Sequence, residues 1–325
     1  MVVGYFAAVA TGIVGLVWGA DRFIESAVRL ARRFNISPLI IGLTVVSFGT
    51  SMPELVTTLM ASLTGHPSVA VGNVVGSNIA NICLILGIAA LFKPLTTNVS
   101  MMRREYPFLV AVSIIVWLMA LNGKFGRIEG GLLCGGLVAF IGWMIKSARD
   151  SEIAKSFLKD IPLENAADGI WGIIIKLALG LAVLTGGSRA LVWGGVGIAR
   201  WIGVNELIIG LSLVALGTSL PELAASIAGI IKKEDDIAVG NVVGSNLFNS
   251  LAILGIPALA RPIPVTAEAL SRDLPIMVLI TLMLWPIARP KHNETGLITR
   301  WKAGVLLFIY CAYMIFIFAG GKLGF

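Results

Sequence analysis

The chain has 325 residues, 57% of them hydrophobic and 13% charged, with a mean hydropathy of +0.91. Soluble domains carry roughly 25% charged residues and must cover themselves with polar surface, so this composition excludes a soluble globule, a disordered chain and a disulfide scaffold. The net charge of +7 comes without basic clusters interleaved with aromatics, which argues against nucleic acid as a partner.

The composition predicts an all-α polytopic membrane protein whose partner is the lipid bilayer. Ten apolar segments of spanning length follow in chain order, near residues 2–32, 38–64, 69–92, 105–121, 128–147, 168–200, 206–231, 236–260, 272–288 and 302–319. The first has no charged stretch before its apolar run and reads as a span, not a cleaved signal peptide. One long polar connector, about 148–167, divides the chain into five-span units at 1–160 and 161–325. Cys83, Cys134 and Cys311 fall inside apolar segments without ligand spacing and read as packing residues. His66 and His292 sit in connectors. Neither zinc chemistry, nor a bound cofactor, nor an enzymatic activity is expected.

Charge also orients the chain. Sixteen of the 25 basic residues, among them Arg32, Arg33, Arg104, Lys155, Lys159, Lys232, Lys291 and Arg300, fall in connectors on one side. Six, among them Lys124, Arg200 and Arg261, fall on the other. The positive-inside rule then puts the 148–167 connector in the cytoplasm and both termini outside a plasma (inner) membrane.

The most informative feature is an internal repeat. Residues 40–95 and 208–263 align without a gap: Gly49-Thr50-Ser51 matches Gly217-Thr218-Ser219, Pro53-Glu54 matches Pro221-Glu222, and Ala70 to Asn78 is identical to Ala238 to Asn246. Five spans per half is an odd number, so the second half enters the membrane from the opposite side. Two inverted five-helix repeats with helices interrupted at the midplane are an architecture of secondary transporters. Here the interruptions are expected at Gly-Thr-Ser-x-Pro-Glu, where proline removes a donor, and less sharply at Gly-Ser-Asn.

Glu54 and Glu222 carry the chemistry. A carboxylate at mid-bilayer costs about 3 kcal/mol on insertion scales and is kept for a cation, a proton or a conduction path. Around each stand neutral oxygens: Thr50, Ser51, Ser77 and Asn81 in one half, Thr218, Ser219, Ser245 and Asn249 in the other, with Ser47 opposite Ala215. An all-oxygen set suits hard cations. Two carboxylates balance Ca²⁺, and neutral ligands also serve Na⁺. One site serving two ions in turn is what an exchanger requires.

At these residues the sequence resembles the sodium/calcium exchanger (calcium/cation antiporter) family: GTSMPE and GTSLPE, each followed by GNVVGSN, look like its alpha repeats. The likeness covers all ten spans and is closest to the short prokaryotic branch. The resemblance implies Ca²⁺ ligation by Glu54 and Glu222 with the main-chain oxygens of Thr50 and Thr218. It implies Na⁺ held toward the outside by the Ala215 carbonyl, Ser219, Glu222 and Ser77, and toward the inside by Ser47, Ser51, Glu54 and Ser245. Asn81 and Asn249 would line the middle. Asn249 stands where several family members carry Asp, so this site has one ionisable group fewer, as in the potassium-independent branch. The expected function is Na⁺/Ca²⁺ antiport by a monomer through alternating access, with the first and sixth spans sliding past the rest. A proton-driven cation exchanger on the same scaffold is the alternative. Arg22, Glu25, Lys176 and Arg189 are expected outside the ion motif, at interfaces.

Overall fold

A computed structural model describes residues 2–66, 68–150, 169–203, 215–289 and 295–323. The junction at 160/161, most of the 148–167 connector with Lys155 and Lys159, the first part of the seventh span, Lys291 and His292 lie outside the described residues. Among the described residues, eight helices are long and apolar enough to cross a membrane: α1 (Val2–Arg33), α2 (Pro38–Leu63), α3 (Val69–Phe92), α5 (Arg127–Lys146), α6 (Ile170–Trp201), α8 (Asp235–Ala260), α9 (Ala269–Ala288) and α10 (Arg300–Ile317). Two shorter ones take the fourth and seventh positions, α4 (Glu105–Ala120) and α7 (Leu220–Ile231), the latter preceded by a turn at Ala215–Thr218.

The repeat is visible in the backbone. α1 and α6 start and stop at the same repeat positions, 2–33 and 170–201. They pack antiparallel: Gly12 lies on Leu191 and Gly187, Gly19 on Leu184 and Gly180, and Gly194 on Tyr5. Two equivalent helices running in opposite directions are the signature of inverted halves.

Four short strands among the described residues repeat the message. β1 (Leu95–Thr97) pairs antiparallel with β4 (Gly296–Ile298), and β2 (Lys124–Phe125) with β3 (Ile263–Pro264). Each pair joins one half to the other. The repeat carries β1 onto β3, so the two ribbons are mates across the pseudo-two-fold axis.

Two layers of burial follow. The lipid-facing helices show bare apolar side chains, such as Val3, Ile128, Val138 and Phe308, each more than 70% exposed. An alkyl surface of that kind is stable against acyl chains and not against water. α3 and α8, in contrast, run through the centre and are buried along most of their length. One hydrophobic cluster links α3, α4, α5, α8, α9 and α10 through Ile82, Leu109, Phe140, Leu247, Leu284 and Leu306. A second, separate cluster holds α1 and α6 through Leu16, Phe23, Ile24 and Leu184, and reaches the core at Val46, Ala225 and Ile237.

The interrupted helices take two forms. Wide, π-helical turns occupy Gly42–Val46 in α2, Ala80–Ile85 in α3 and Asn249–Ile253 in α8. In the last two the Leu86 amide donates to the Asn81 carbonyl and the Leu254 amide to the Asn249 carbonyl, again repeat equivalents. Downstream of the wide turn at Gly42–Val46, α2 continues as helix through Pro53, whereas the same motif in the second half breaks at Ser219, between Thr218 and Leu220. Proline deprives one carbonyl of its partner in either case, and the packing around it decides whether the helix opens.

Candidate ion-binding site

The site is assembled where α2 and α7 cross α3 and α8. Glycine permits the approach: a methyl group on Gly42 would meet the Ile237 carbonyl at 2.7 Å, one on Gly240 the Leu39 carbonyl at 2.8 Å, and one on Gly244 the Ser47 hydroxyl at 2.6 Å. The glycines of the repeated motif therefore seat α8 directly on the backbone of α2 and bring Ser47 beside Gly244-Ser245.

Glu54 and Glu222 are each 1% exposed. The hydroxyl of Ser51, from the first half, donates to Glu222 Oε1, from the second, at 3.0 Å. Thr50 Oγ1 donates to Val46 O at 3.1 Å and lies 3.3 Å from Asn241 Oδ1, while Asn241 Nδ2 donates to the Glu222 carbonyl at 3.2 Å and to Ser226 Oγ at 3.1 Å. The two motifs are thus tied across the repeat boundary.

Asn81 and Asn249 sit where their wide turns begin and are 1% exposed. Asn81 Nδ2 donates to Asn246 Oδ1 at 2.9 Å and Asn249 Nδ2 to Asn78 Oδ1 at 3.1 Å. Ser47 is buried and donates to Leu43 O at 2.8 Å. Ser77 and Ser219 are 6% and 4% exposed, and Ser219 makes no side-chain cap at the start of α7. Thr218 is half-buried at the end of the turn that Ala215 begins.

Eight buried side-chain polar atoms lack a hydrogen-bond partner among the described residues, and five of them belong to this set: Glu54 Oε2, Glu222 Oε2, Asn81 Oδ1, Asn249 Oδ1 and Ser245 Oγ. Buried polar atoms are paired as a rule, because an orphan costs about 1–3 kcal/mol. All five are oxygens able to accept, and a cation is the partner such a group fits. No group of three or more His, Cys, Asp or Glu residues placed to hold a metal ion occurs among the described residues. The carboxylates work with neutral oxygens instead.

Arg22 and Glu25 lie away from this centre, joined to each other at 3.2 Å, with Arg29 on Glu25 at 2.6 Å, and Lys176 and Arg189 are exposed on α6. Sequence reasoning passed over Asn78, Asn246, Asn241 and Ser188. Asn78, Asn246 and Asn241 stand within the identical nine-residue stretches, the signal that marks them. Ser188 Oγ on α6 donates to the Gly217 carbonyl at 2.7 Å. That carbonyl is the one Pro221 leaves without its helical donor. In the first half Ala20 stands at the equivalent position and has no donor.

The sodium/calcium exchanger protein family profile matches residues 4–146 and 172–319, one match per half. The chain belongs to this family. It is 39% identical to a putative antiporter, CaxA, of Alkalimonas amylolytica over 96% of this chain and 98% of that one. It is 31% identical to the sodium/calcium exchanger MaX1 of Methanosarcina acetivorans, over 98% and 99%. The inner membrane protein YrbG of Escherichia coli K12 is 39% identical over 88% of this chain and 89% of its own. Among solved structures, the sodium-calcium exchanger NCX_Mj soaked with 10 mM Na⁺ and 10 mM Sr²⁺ superposes with a TM-score of 0.83 at 27% identity, covering 97% of this chain and 99% of that one. The protein is a multi-pass membrane transporter of the cation/Ca²⁺ exchanger class, not an enzyme.

Proposed function

We propose that this protein exchanges Na⁺ for Ca²⁺ across the plasma (inner) membrane by alternating access, at one site shared by the two repeats. The observation that carries the reading is the concentration of unpartnered acceptor oxygens around Glu54 and Glu222. Two carboxylates neutralise one Ca²⁺, and Thr50 and Thr218 main-chain oxygens extend the oxygen shell. Na⁺ takes the flanking positions, the Ala215 carbonyl, Ser77 and Ser219 with Glu222 on one side, Ser47, Ser51 and Ser245 with Glu54 on the other. Because both ions need the same carboxylates, occupancy by one displaces the other, and exchange follows.

The moving part is the α1–α6 pair. Its two helices touch backbone to backbone through glycines and share a hydrophobic cluster apart from the main one, so they translate as one body against α2–α5 and α7–α10. The excess of basic connectors on the 148–167 side orients that face to the cytoplasm, with both termini outside. The relatives named as sodium/calcium exchanger and as inner membrane protein support the ion pair and the membrane. The protomer holds a whole site, and a monomer suffices.

The test is Ca²⁺ uptake into proteoliposomes loaded with Na⁺, with pH clamped. Uptake that follows the Na⁺ gradient and stops in Glu54→Gln and Glu222→Gln is the expected result. Uptake that follows only a pH gradient would overturn Na⁺ coupling and point to protons on the same carboxylates.

A further inference from the structure

We infer that Asn78 and Asn246, which need not touch the ion, set the polarity of its site by holding the amides of Asn249 and Asn81 with their oxygens inward. This rests on the site reading above and deepens it.

An asparagine amide has a donor end and an acceptor end of nearly equal size, and only its neighbours decide which way it points. At a cation site the difference is decisive: Oδ1 inward is a ligand, whereas Nδ2 inward repels the ion with two N–H dipoles. In both site asparagines the donor end is taken up from outside the centre. Asn81 Nδ2 is held by Asn246 Oδ1 at 2.9 Å, and Asn249 Nδ2 by Asn78 Oδ1 at 3.1 Å. In both, the remaining Oδ1 is buried and without a partner among the described residues.

The arrangement is reciprocal. Each half's motif asparagine holds the other half's site asparagine, so the two bonds exchange places under the pseudo-two-fold axis. The holders are held in turn: Asn78 Nδ2 donates to Ser250 Oγ at 3.0 Å, and Asn246 Nδ2 reaches the Asn78 carbonyl at 3.3 Å. These bonds spend the donor ends of Asn78 and Asn246, so what each presents to its site asparagine is Oδ1. All four side chains are 1% exposed, so water does not compete for the bonds.

Outer-shell groups that orient metal ligands are worth roughly 10–100-fold in metal affinity. Asn78 and Asn246 are positioning residues of this kind, and the crossed pairing gives them a distinctive test. Ca²⁺ dissociation constants would be measured by equilibrium ⁴⁵Ca²⁺ binding on purified protein, for Asn246→Ala, Asn78→Ala, Asn81→Ala, Asn249→Ala and the four double variants that pair Asn246→Ala or Asn78→Ala with Asn81→Ala or Asn249→Ala. Melting temperatures without ions would be measured alongside.

Asn246→Ala is expected to weaken Ca²⁺ about tenfold, to add nothing on top of Asn81→Ala, and to add in full to Asn249→Ala. Asn78→Ala shows the reverse pattern, silent on Asn249→Ala and additive with Asn81→Ala. A residue that only supports the fold lowers the melting temperature without producing this crossed coupling. Asn246→Ser and Asn78→Ser, too short to reach the opposite amide but still polar, run in parallel and carry the cycle if an alanine variant does not purify. Unchanged affinity, or losses that add in every pair, would overturn the inference. Glu54→Gln and Glu222→Gln in the same assay separate the two claims: wild-type binding there overturns the site reading itself, and with it this one.

Discussion

Two seams in this molecule are built from small residues and behave in opposite ways. Between α1 and α6, glycine meets backbone: a methyl on Gly12 would come 2.6 Å from the Leu191 amide nitrogen, one on Gly187 2.6 Å from that of Leu16, and one on Gly180 2.6 Å from that of Phe23. Between α2 and α8 glycine also meets backbone, but the surrounding core adds directional side-chain bonds, Ser51 to Glu222, Asn81 to Asn246 and Asn249 to Asn78. The first seam fixes two helices to each other, and in the proposed cycle the pair shifts as a unit. The second fixes the register of the proposed ion ligands. Close packing alone does not distinguish a moving part from a fixed one; what matters is which bonds cross the boundary.

The largest effect should come from filling the first seam. Gly187→Val forces a branched side chain against the backbone of Gly12, Gly15 and Leu16, and overpacking of this kind costs about 1–3 kcal/mol. We expect a lower melting temperature and lost exchange, while Ca²⁺ binding at the core survives. Loss of binding in folded protein would show that the two regions are not separable.

Cross-linking sharpens the contrast. In a background without Cys83, Cys134 and Cys311, a flexible bis-maleimide between Tyr5→Cys and Trp193→Cys joins α1 to α6, whose rings now stack edge-on at 5.0 Å. Exchange should continue. The same reagent between Asp21→Cys and Lys232→Cys, an ion pair of 2.6 Å joining α1 to the α7–α8 linker, should stop exchange and spare binding. Equal inhibition by both would break the picture of one sliding pair.

Smaller effects report on single bonds. Ser188→Ala orphans the buried Gly217 carbonyl and should cost about 1–3 kcal/mol, read as a fall in melting temperature. At the α7–α8 linker, burial raises the Glu234 carboxyl above its ordinary value despite Arg32, whose guanidinium lies 3.8 Å away. The folded chain then keeps a proton that the unfolded chain has released, so this group's contribution falls as pH rises from about 4.3 through the raised value. Glu234→Gln should flatten that part of the stability profile, and an unchanged profile would contradict it.

Much of this was legible before any coordinates. The ten spans, the two halves and the paired glutamates follow from hydropathy and an ungapped repeat. The sequence did not reveal that identical Gly-Thr-Ser-x-Pro-Glu motifs would differ, one continuing as helix through Pro53 and the other breaking at Ser219, because the surrounding packing differs where the local residues do not. The wide turns at Asn81 and Asn249 have no residue signature, being a change of backbone hydrogen-bond partner. Asn78 and Asn246 were read only as part of a repeated motif. Their pairing depends on how two distant halves dock, and local sequence carries no record of that.

The central claim is one site for two ions. The most direct measurement is the Ca²⁺ dissociation constant of purified protein at fixed pH as Na⁺ is raised. It is expected to climb steeply with Na⁺, and Glu54→Gln and Glu222→Gln are expected to abolish both Ca²⁺ binding and the stabilisation by Na⁺. A Ca²⁺ affinity indifferent to Na⁺ and shifting only with pH would contradict it.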